Sequence, residues 1–295
     1  MRIKDTLGDK IFTCLCYLLV ILVAFACLYP LWLVLVYSIS DPDAVSAGKV
    51  WIWPVGITWD AYKEVFSRDD LMKGYWNTIT QTLFGTAVNM VMTIPAAYAL
   101  SKSKLKGRGL FMGLIVFTMY FSGGLIPNFI NLKDLKLINT WWVFGLCGAV
   151  STYNLIVART FFASGIPHEL EEAAEIDGCS VAGTFFKIVL PLSKAMLGVI
   201  MLYYVVGHWN NYSTALYYTP HSQEHWPLQM VIRDMLRQLS KTVSAASDQD
   251  LEYFSRIYDM IKYAVVVVAA LPVLVLYPFL QKYFNKGVML GSVKG

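Results

Sequence analysis

The chain has 295 residues, of which 57% are hydrophobic and 15% are charged, and its net charge is +4 at pH 7. Soluble globular domains carry charge on roughly 25% of their residues. Together with a mean hydropathy of +0.52, this composition excludes an ordinary soluble domain and indicates an integral membrane protein.

Six stretches of the chain contain no Asp, Glu, Lys or Arg and are long enough to cross a bilayer, which takes about 20 mostly apolar residues in a helix. Backbone polar groups in lipid must be satisfied internally, so long apolar runs are expected to be helical. The sequence therefore predicts an all-α membrane protein with a single transmembrane domain, 1–295. Its six transmembrane helices are predicted at about 11–39, 75–100, 109–128, 138–160, 195–216 and 261–282.

The first predicted helix contains a stretch, Val23–Cys27 (VAFAC), that faintly resembles a signal-peptide cleavage or lipid-attachment site. The uncharged run continues through Ile39, which is too long for the apolar part of a cleaved signal peptide. We therefore expect the first helix to be retained. No CxxC pair occurs among the five cysteines, so neither a disulfide framework nor a metal site is expected.

The loop after the second helix carries the clearest orientation signal. Residues 101–109 (SKSKLKGRG) contain four basic side chains and no acid, which is typical of a short cytoplasmic loop. Six helices then place both termini in the cytoplasm, together with residues 159–194. The long segments 41–73 and 217–260 face outside, and the second of these contains a predicted amphipathic helix at Leu228–Leu239.

Between the fourth and fifth helices lies an acidic segment, residues 164–191, that includes LEEAAEIDGCSVAGTFFKIVLP. Pro167 suits the first turn of a helix, and the glutamates after it favour the positive end of the helix dipole. Glu171 and Glu175 are four residues apart and repel each other, so we expect basic partners elsewhere. Gly178 can take a positive φ and end this helix, and a second short helix is predicted at Val181–Ile188. From these residues alone, both a docking element and a passive linker remain open.

Seven residues of this segment resemble the EAA motif of bacterial ABC importer permeases. They are Glu172, Ala173, Ala174, Gly178, Ile188, Leu190 and Pro191. The resemblance implies the type I ABC importer permease fold, in which this segment is a cytoplasmic coupling helix that docks into a groove of an ATPase subunit. It also implies that Glu172 meets a basic residue of the ATPase and that Gly178 makes the turn between two short helices.

The rest of the chain resembles the second permease subunit of carbohydrate importers, the group that includes the maltose permeases. Tyr120–Phe129 (YFSGGLIPNF) and residues 281–295 (QKYFNKGVMLGSVKG) resemble the subgroup for complex oligosaccharides, some of whose members import acidic ones such as alginate fragments. In that family the C-terminal tail, here about 284–295, reaches toward the ATPase. The last outer loop, here about 217–257, reaches into the binding protein.

The resemblance implies a bacterial plasma membrane location and several partners: a second homologous permease, two ATP-binding cassette subunits, an extracytoplasmic solute-binding protein and the lipid membrane. We expect no nucleic-acid partner. The chain has no GxxxxGK[ST] motif for ATP phosphates, so we expect a transport subunit and not an enzyme. ATP and Mg²⁺ are expected to be used by the partner ATPase, with no cofactor bound by this chain.

Polar side chains cluster at the end of the fifth predicted helix, in the stretch GHWNNYST. Sugars are bound by aromatic planes together with amides that bond hydroxyls, so we consider this cluster a candidate substrate pathway. Hydrogen bonding between helices is an equally open alternative. For the polar residues Asn77, Gln81 and Asn89 of the second helix we favour that structural role. The candidate pathway residues are His208, Trp209, Asn210, Asn211 and Tyr212.

Two other functional classes remain as alternatives. The first is the same type of importer for a non-sugar solute such as a peptide or a polyamine. The second is a membrane-embedded enzyme or an ATP-independent carrier. A carrier is often built from inverted repeats with broken helices, and no convincing repeat is evident in the sequence.

Overall fold

A computed structural model describes residues 6–245, 256, 258–259 and 261–275, and every regular element in these ranges is helical. The described residues form two compact units, one within 6–69 and 234–271 and the other within 70–233 and 272–275. We number the helices in chain order: α1 Leu7–Ser38, α2 Pro42–Ser46, α3 Asp60–Phe66, α4 Asp69–Ser101, α5 Arg108–Tyr120, α6 Leu125–Asp134, α7 Val143–Leu146, α8 Thr152–Ser164, α9 His168–Ile176, α10 Val181–Thr184, α11 Leu190–Leu192, α12 Lys194–Trp209, α13 Ser213–Tyr218, α14 Leu228–Ala245 and α15 Ile261–Val275.

In the first unit, α1 begins one turn before the start predicted at residue 11. Thr6 and Asp9 form a capping box there, in which each side chain bonds the backbone N–H of the other residue. The most apolar window of α1 has a mean hydropathy of 2.8, and none of that window is buried by the rest of the chain. An apolar helix that the chain leaves uncovered needs lipid or another protein around it.

Within the described ranges, α1 and α4 are the two helices that are long and apolar enough to cross a membrane alone. Two bent pairs raise this number to four if each pair counts as one span: α5 with α6, bent by 117°, and Val181–Leu192 with α12, bent by 82°. The described part of α15 is a shorter apolar helix. The count of six transmembrane helices therefore stays a prediction.

The helix predicted at 109–128 is instead two helices, because the chain turns sharply at Phe121–Gly124. Gly124 has a φ of 87°, a conformation that favours glycine, and it directly precedes α6. The sequence run is apolar on both sides of this turn, so a search for uncharged stretches cannot detect it.

The helix predicted at 138–160 is also interrupted. Residues 147–151 separate α7 from α8, and Gly148 has a φ of 74°. Backbone groups freed by such a break need new partners in a membrane protein. The side-chain amide of Asn89, on α4, donates to the carbonyl oxygens of Gly148 at 3.2 Å and Ala149 at 2.8 Å. With 13 residues, α8 rises only about 20 Å, less than the roughly 30 Å of a hydrocarbon core.

Candidate functional site

The acidic segment folds as two helical parts joined by a turn at Gly178. Pro167 occupies the position before α9 and not its first turn, where the sequence placed it. Gly178 has a φ of 77°, and its N–H donates to the Glu175 carbonyl at 3.1 Å. The next N–H, of Cys179, donates to the Ala174 carbonyl at 2.8 Å. These two bonds form a Schellman motif that ends α9, as the sequence predicts for Gly178.

The second part is longer than the predicted Val181–Ile188. Ser180 caps α10, which continues as a π-helix at Phe185–Val189 and then as α11. Pro191 has no N–H, so the α-helical bond to the carbonyl of residue 187 cannot form next to this π-helix. Single π-turns are rare and frequently lie at functional sites. The three last residues of the motif, Ile188, Leu190 and Pro191, thus lie just before the 82° bend into α12.

An ion pair attaches α9 to the basic loop that follows α4. The Lys102 ammonium bonds both carboxylate oxygens of Glu171, and the two side chains are 26% and 17% exposed. The same ammonium lies 4.1 Å from the centre of the Tyr98 ring, a cation–π contact. A second and largely exposed pair joins Lys104 to Glu175 at 4.0 Å. The basic partners expected for the two repelling glutamates are therefore in this chain.

A buried aromatic cluster lies beneath this ion pair. The Tyr98 ring packs against Phe162 of α8 at 5.7 Å and against Phe185 of the π-helix at 4.9 Å, measured between ring centres. Val189 and Ile200 belong to the same core and are completely buried. The acidic segment is thus packed onto the ends of α4, α8 and α12, so that it and these ends are expected to move together.

The opposite side of the segment is open. Glu172 and Ala173 are exposed, and Glu172 has no ion pair among the residues that the structure describes. Ile176 is 86% exposed and Val181 is 77% exposed, although both are apolar. Ala174 is buried and lies on the side that packs against the chain. An exposed acid beside exposed apolar side chains is a surface suited to another protein.

At the end of α12, the first two candidate pathway residues lie in helix contacts. The His208 ring nitrogen Nε2 lies 2.6 Å from the Asn89 side-chain oxygen, and the imidazole fits against Gly85, where any Cβ would collide with it. Trp209 is 4% exposed, and its ring lies 6.5 Å from that of Tyr75. These contacts are of the interhelical kind, so contact of His208 or Trp209 with substrate stays a prediction.

The next three candidate residues lie in the turn between α12 and α13. The Asn210 amide donates to the carbonyl of Val206, one turn back in its own helix, at 3.0 Å. The Asn211 side-chain oxygen accepts from the backbone N–H of Thr214, in the first turn of α13, at 3.1 Å. Tyr212 is 41% exposed, and the guanidinium of Arg233 lies over its ring at 5.6 Å. Of the five residues, Asn210 and Tyr212 are the open ones.

Polar residues on α4 hold the segment that leads into α14. The Asn77 amide donates to the carbonyls of Glu224 at 2.7 Å and Trp226 at 3.0 Å, and the Gln81 amide donates to the carbonyl of His225 at 2.7 Å. These bonds are structural, as the sequence favours. Sequence reasoning missed the contacts of Lys102 and Arg233. Their partners, Glu171 and Tyr212, lie 69 and 21 positions away along the chain, and only folding brings them together.

Residues 71–290 match the family model described as "Binding-protein-dependent transport system inner membrane component". The chain is 40% identical over 291 residues to the Polygalacturonan/rhamnogalacturonan transport system permease protein YtcP of Bacillus subtilis (strain 168), which covers 97% of this chain and 99% of YtcP. It is 41% identical over 266 residues to Protein LplC of the same organism, covering 90% of this chain and 89% of LplC.

Among solved structures, the chain is similar to a chain in the crystal structure of a bacterial ABC transporter involved in the import of the acidic polysaccharide alginate. The TM-score is 0.84 and the sequence identity is 31%, and the match covers 96% of this chain and all of the other. This chain therefore has the fold of an ABC importer permease over nearly its whole length.

Proposed function

This chain belongs to the family of inner membrane components of binding-protein-dependent transport systems, and we propose that it forms one half of the translocation pathway of an oligosaccharide importer. The comparisons confirm the predicted resemblance to carbohydrate ABC importer permeases. They favour a sugar substrate over a peptide or a polyamine, because the relatives are permeases for oligosaccharides. The chain is a transport subunit of the membrane.

The acidic segment is proposed to be the coupling element that docks on an ATPase subunit. The observation that carries this proposal is that some glutamates of α9 have ion-pair partners in this chain and another has none among the described residues. Glu171 and Glu175 are paired with lysines of this chain, whereas Glu172 is exposed beside the apolar side chains of Ile176 and Val181. An unpaired acid in an apolar surround favours a basic partner residue in a docked protein. Of the seven motif residues, Glu172 and Ala173 are exposed on this side of α9, and Ala174 is buried on the other side.

The mechanism follows from how the segment is attached. Closure of the two ATPase subunits on ATP and Mg²⁺ would push the docked segment, and its packed core would transmit that movement to α4, α8 and α12. Rigid-body movements of packed helices are a common form of such switching. The permease would then open outward to receive the sugar from the binding protein, and ATP hydrolysis in the partner would return the inward-open state.

In this proposal the importer contains a second homologous permease, two ATP-binding cassette subunits and an extracytoplasmic binding protein. Both termini lie in the cytoplasm of a bacterial cell, with the tail at about 284–295 toward the ATPase. That tail lies outside the described residues, as does the part of the predicted sixth helix beyond residue 275. The polar turn at Asn210–Tyr212 would lie at the outer end of the pathway.

The test is gentle detergent purification of the tagged chain from its own host, followed by mass spectrometry of the proteins that accompany it. We expect an ATPase subunit and a second permease. Recovery of the chain alone, in a detergent that keeps a known importer intact, would contradict the proposal and favour an ATP-independent carrier. Thermal shifts of the cognate binding protein with sugars, peptides and polyamines would then identify the class of solute.

A further inference from the structure

Arg233 and Tyr212 form a pair in which the tyrosine is exposed and the arginine is half-buried. The guanidinium lies over the tyrosine ring at 5.6 Å, and the ring is 41% exposed. No carboxylate pairs with Arg233 among the residues that the structure describes. A cation held on an aromatic face has its edge, with the N–H donors, available for another group.

Both side chains project from backbone that is fixed on its neighbours. The start of α14 lies against α4, where the Leu228 N–H donates to the Thr78 hydroxyl at 2.7 Å and a Cβ at Gly74 would come within 3.1 Å of the Leu228 Cα. Tyr212 follows Asn211, whose amide bonds both the backbone and the hydroxyl of Thr214. Groups presented from rigid backbone lose little freedom when they bind a ligand.

The pair also lies at the correct end of the molecule to meet an entering solute. The acidic segment ends shortly before Lys194, the first residue of α12, and Tyr212 lies shortly after Trp209, its last residue. The 16 residues of α12 rise about 24 Å, so Tyr212 is most of a membrane thickness away from the acidic segment. If the acidic segment faces the ATPase in the cytoplasm, Tyr212 and Arg233 face the outside.

We propose that Arg233, held on the Tyr212 ring, binds the carboxylate of a uronic acid residue as an acidic oligosaccharide enters the permease. The guanidinium fork fits a planar carboxylate with two parallel hydrogen bonds, and the open face of Tyr212 fits the apolar C–H face of a sugar ring. A neutral sugar would use the tyrosine but leave the arginine without its partner. This inference rests on the proposed importer function and names the substrate class at its outer end.

The experiment uses the complete importer in proteoliposomes with its binding protein. The acidic probes are trimers of galacturonate and of the alginate uronates. The neutral probes are arabinotriose and the methyl ester of whichever acidic trimer the importer carries. We expect Arg233→Gln to lower uptake of the acidic trimer at least about tenfold and to leave the neutral probes unchanged. Arg233→Lys should restore only part of this uptake, because an ammonium lacks the planar fork. Arg237→Gln, at an exposed arginine one turn further along α14, is the matched control and should change neither.

Each other outcome separates this inference from the proposed function. If wild-type importer carries only neutral trimers, or if Arg233→Gln carries the acidic trimer normally, the uronate contact is wrong while the importer stands. If Arg233→Gln lowers acidic and neutral uptake equally, together with ATP hydrolysis stimulated by the loaded binding protein, Arg233 serves docking and not sugar recognition. If wild-type importer carries no oligosaccharide at all, the proposed function itself fails.

Discussion

Lys102 bonds both carboxylate oxygens of Glu171, and this one ion pair joins the loop after α4 to the first turn of α9. It is mostly buried and rests on the ring of Tyr98, which in turn packs on Phe162 and Phe185. The pair therefore connects the surface of the acidic segment to the aromatic core behind it. It also removes one of the two repelling charges from the exposed side of the helix.

We expect Lys102→Ala to loosen α9 by about 1 to 2 kcal/mol, because it leaves the largely buried Glu171 without its counter-charge. Hydrogen exchange of the α9 amides should rise, and uptake per ATP should fall. The double exchange Lys102→Glu with Glu171→Lys should recover much of both. Lys104→Ala is the control, since its pair with Glu175 is largely exposed and such pairs contribute little. Equal effects of the two single variants would contradict this role for Lys102.

Glu172→Lys should disrupt coupling without unfolding the chain, because Glu172 is exposed and its only expected partner is on the ATPase. Uptake should fall by about tenfold or more, as a like-charge contact at an interface costs several kcal/mol. The readouts are ATP-dependent uptake and recovery of the ATPase with the tagged permease. The matched control is Glu169→Lys, at an exposed glutamate of the same helix outside the motif. Normal uptake by Glu172→Lys would defeat the coupling proposal.

Gly178→Ala should destabilise the turn between the two parts of the acidic segment by about 1 kcal/mol. The reason is purely conformational: φ is 77° at Gly178, and no atom lies near the position of the new Cβ. We expect faster hydrogen exchange around 174–180 and weaker retention of the ATPase during purification. Gly113→Ala is the control, since Gly113 is inside α5 with open space around it and has no positive φ. There the substitution should be neutral or slightly stabilising.

Asn89→Ala should lower the stability of the purified chain by about 1 to 3 kcal/mol. It removes the partner of His208 and two bonds to the carbonyls of Gly148 and Ala149 in the break between α7 and α8. Thermal unfolding in detergent measures this, with the exposed Asn131→Ala on α6 as the control. A normal melting temperature for Asn89→Ala would mean that water or lipid headgroups satisfy these carbonyls instead.

Several features of the acidic segment can be predicted from its local sequence. The seven motif residues, the helix after Pro167 and the positive φ of Gly178 follow from residue types at short spacing, because helix ends and glycine turns depend on a few neighbouring residues.

Two helix breaks, at Phe121–Gly124 and at residues 147–151, escaped prediction since both lie in runs that remain apolar throughout. Hydropathy shows that a run is apolar enough to lie in lipid, but it does not show where the chain changes direction within that run.

The pairing of charges is a feature that the local sequence cannot predict. The sequence shows four glutamates near α9 but cannot say which of them are free, because Lys102 is 69 residues from Glu171 along the chain. Likewise the His208–Asn89 contact spans 119 residues, and it turns part of the candidate sugar site into a helix contact. Such pairs form only after α4, α8 and α12 have packed, when burial makes an unsatisfied polar group costly. Packing therefore selects which polar residues support the fold and which, like Glu172, Tyr212 and Arg233, remain open to partners.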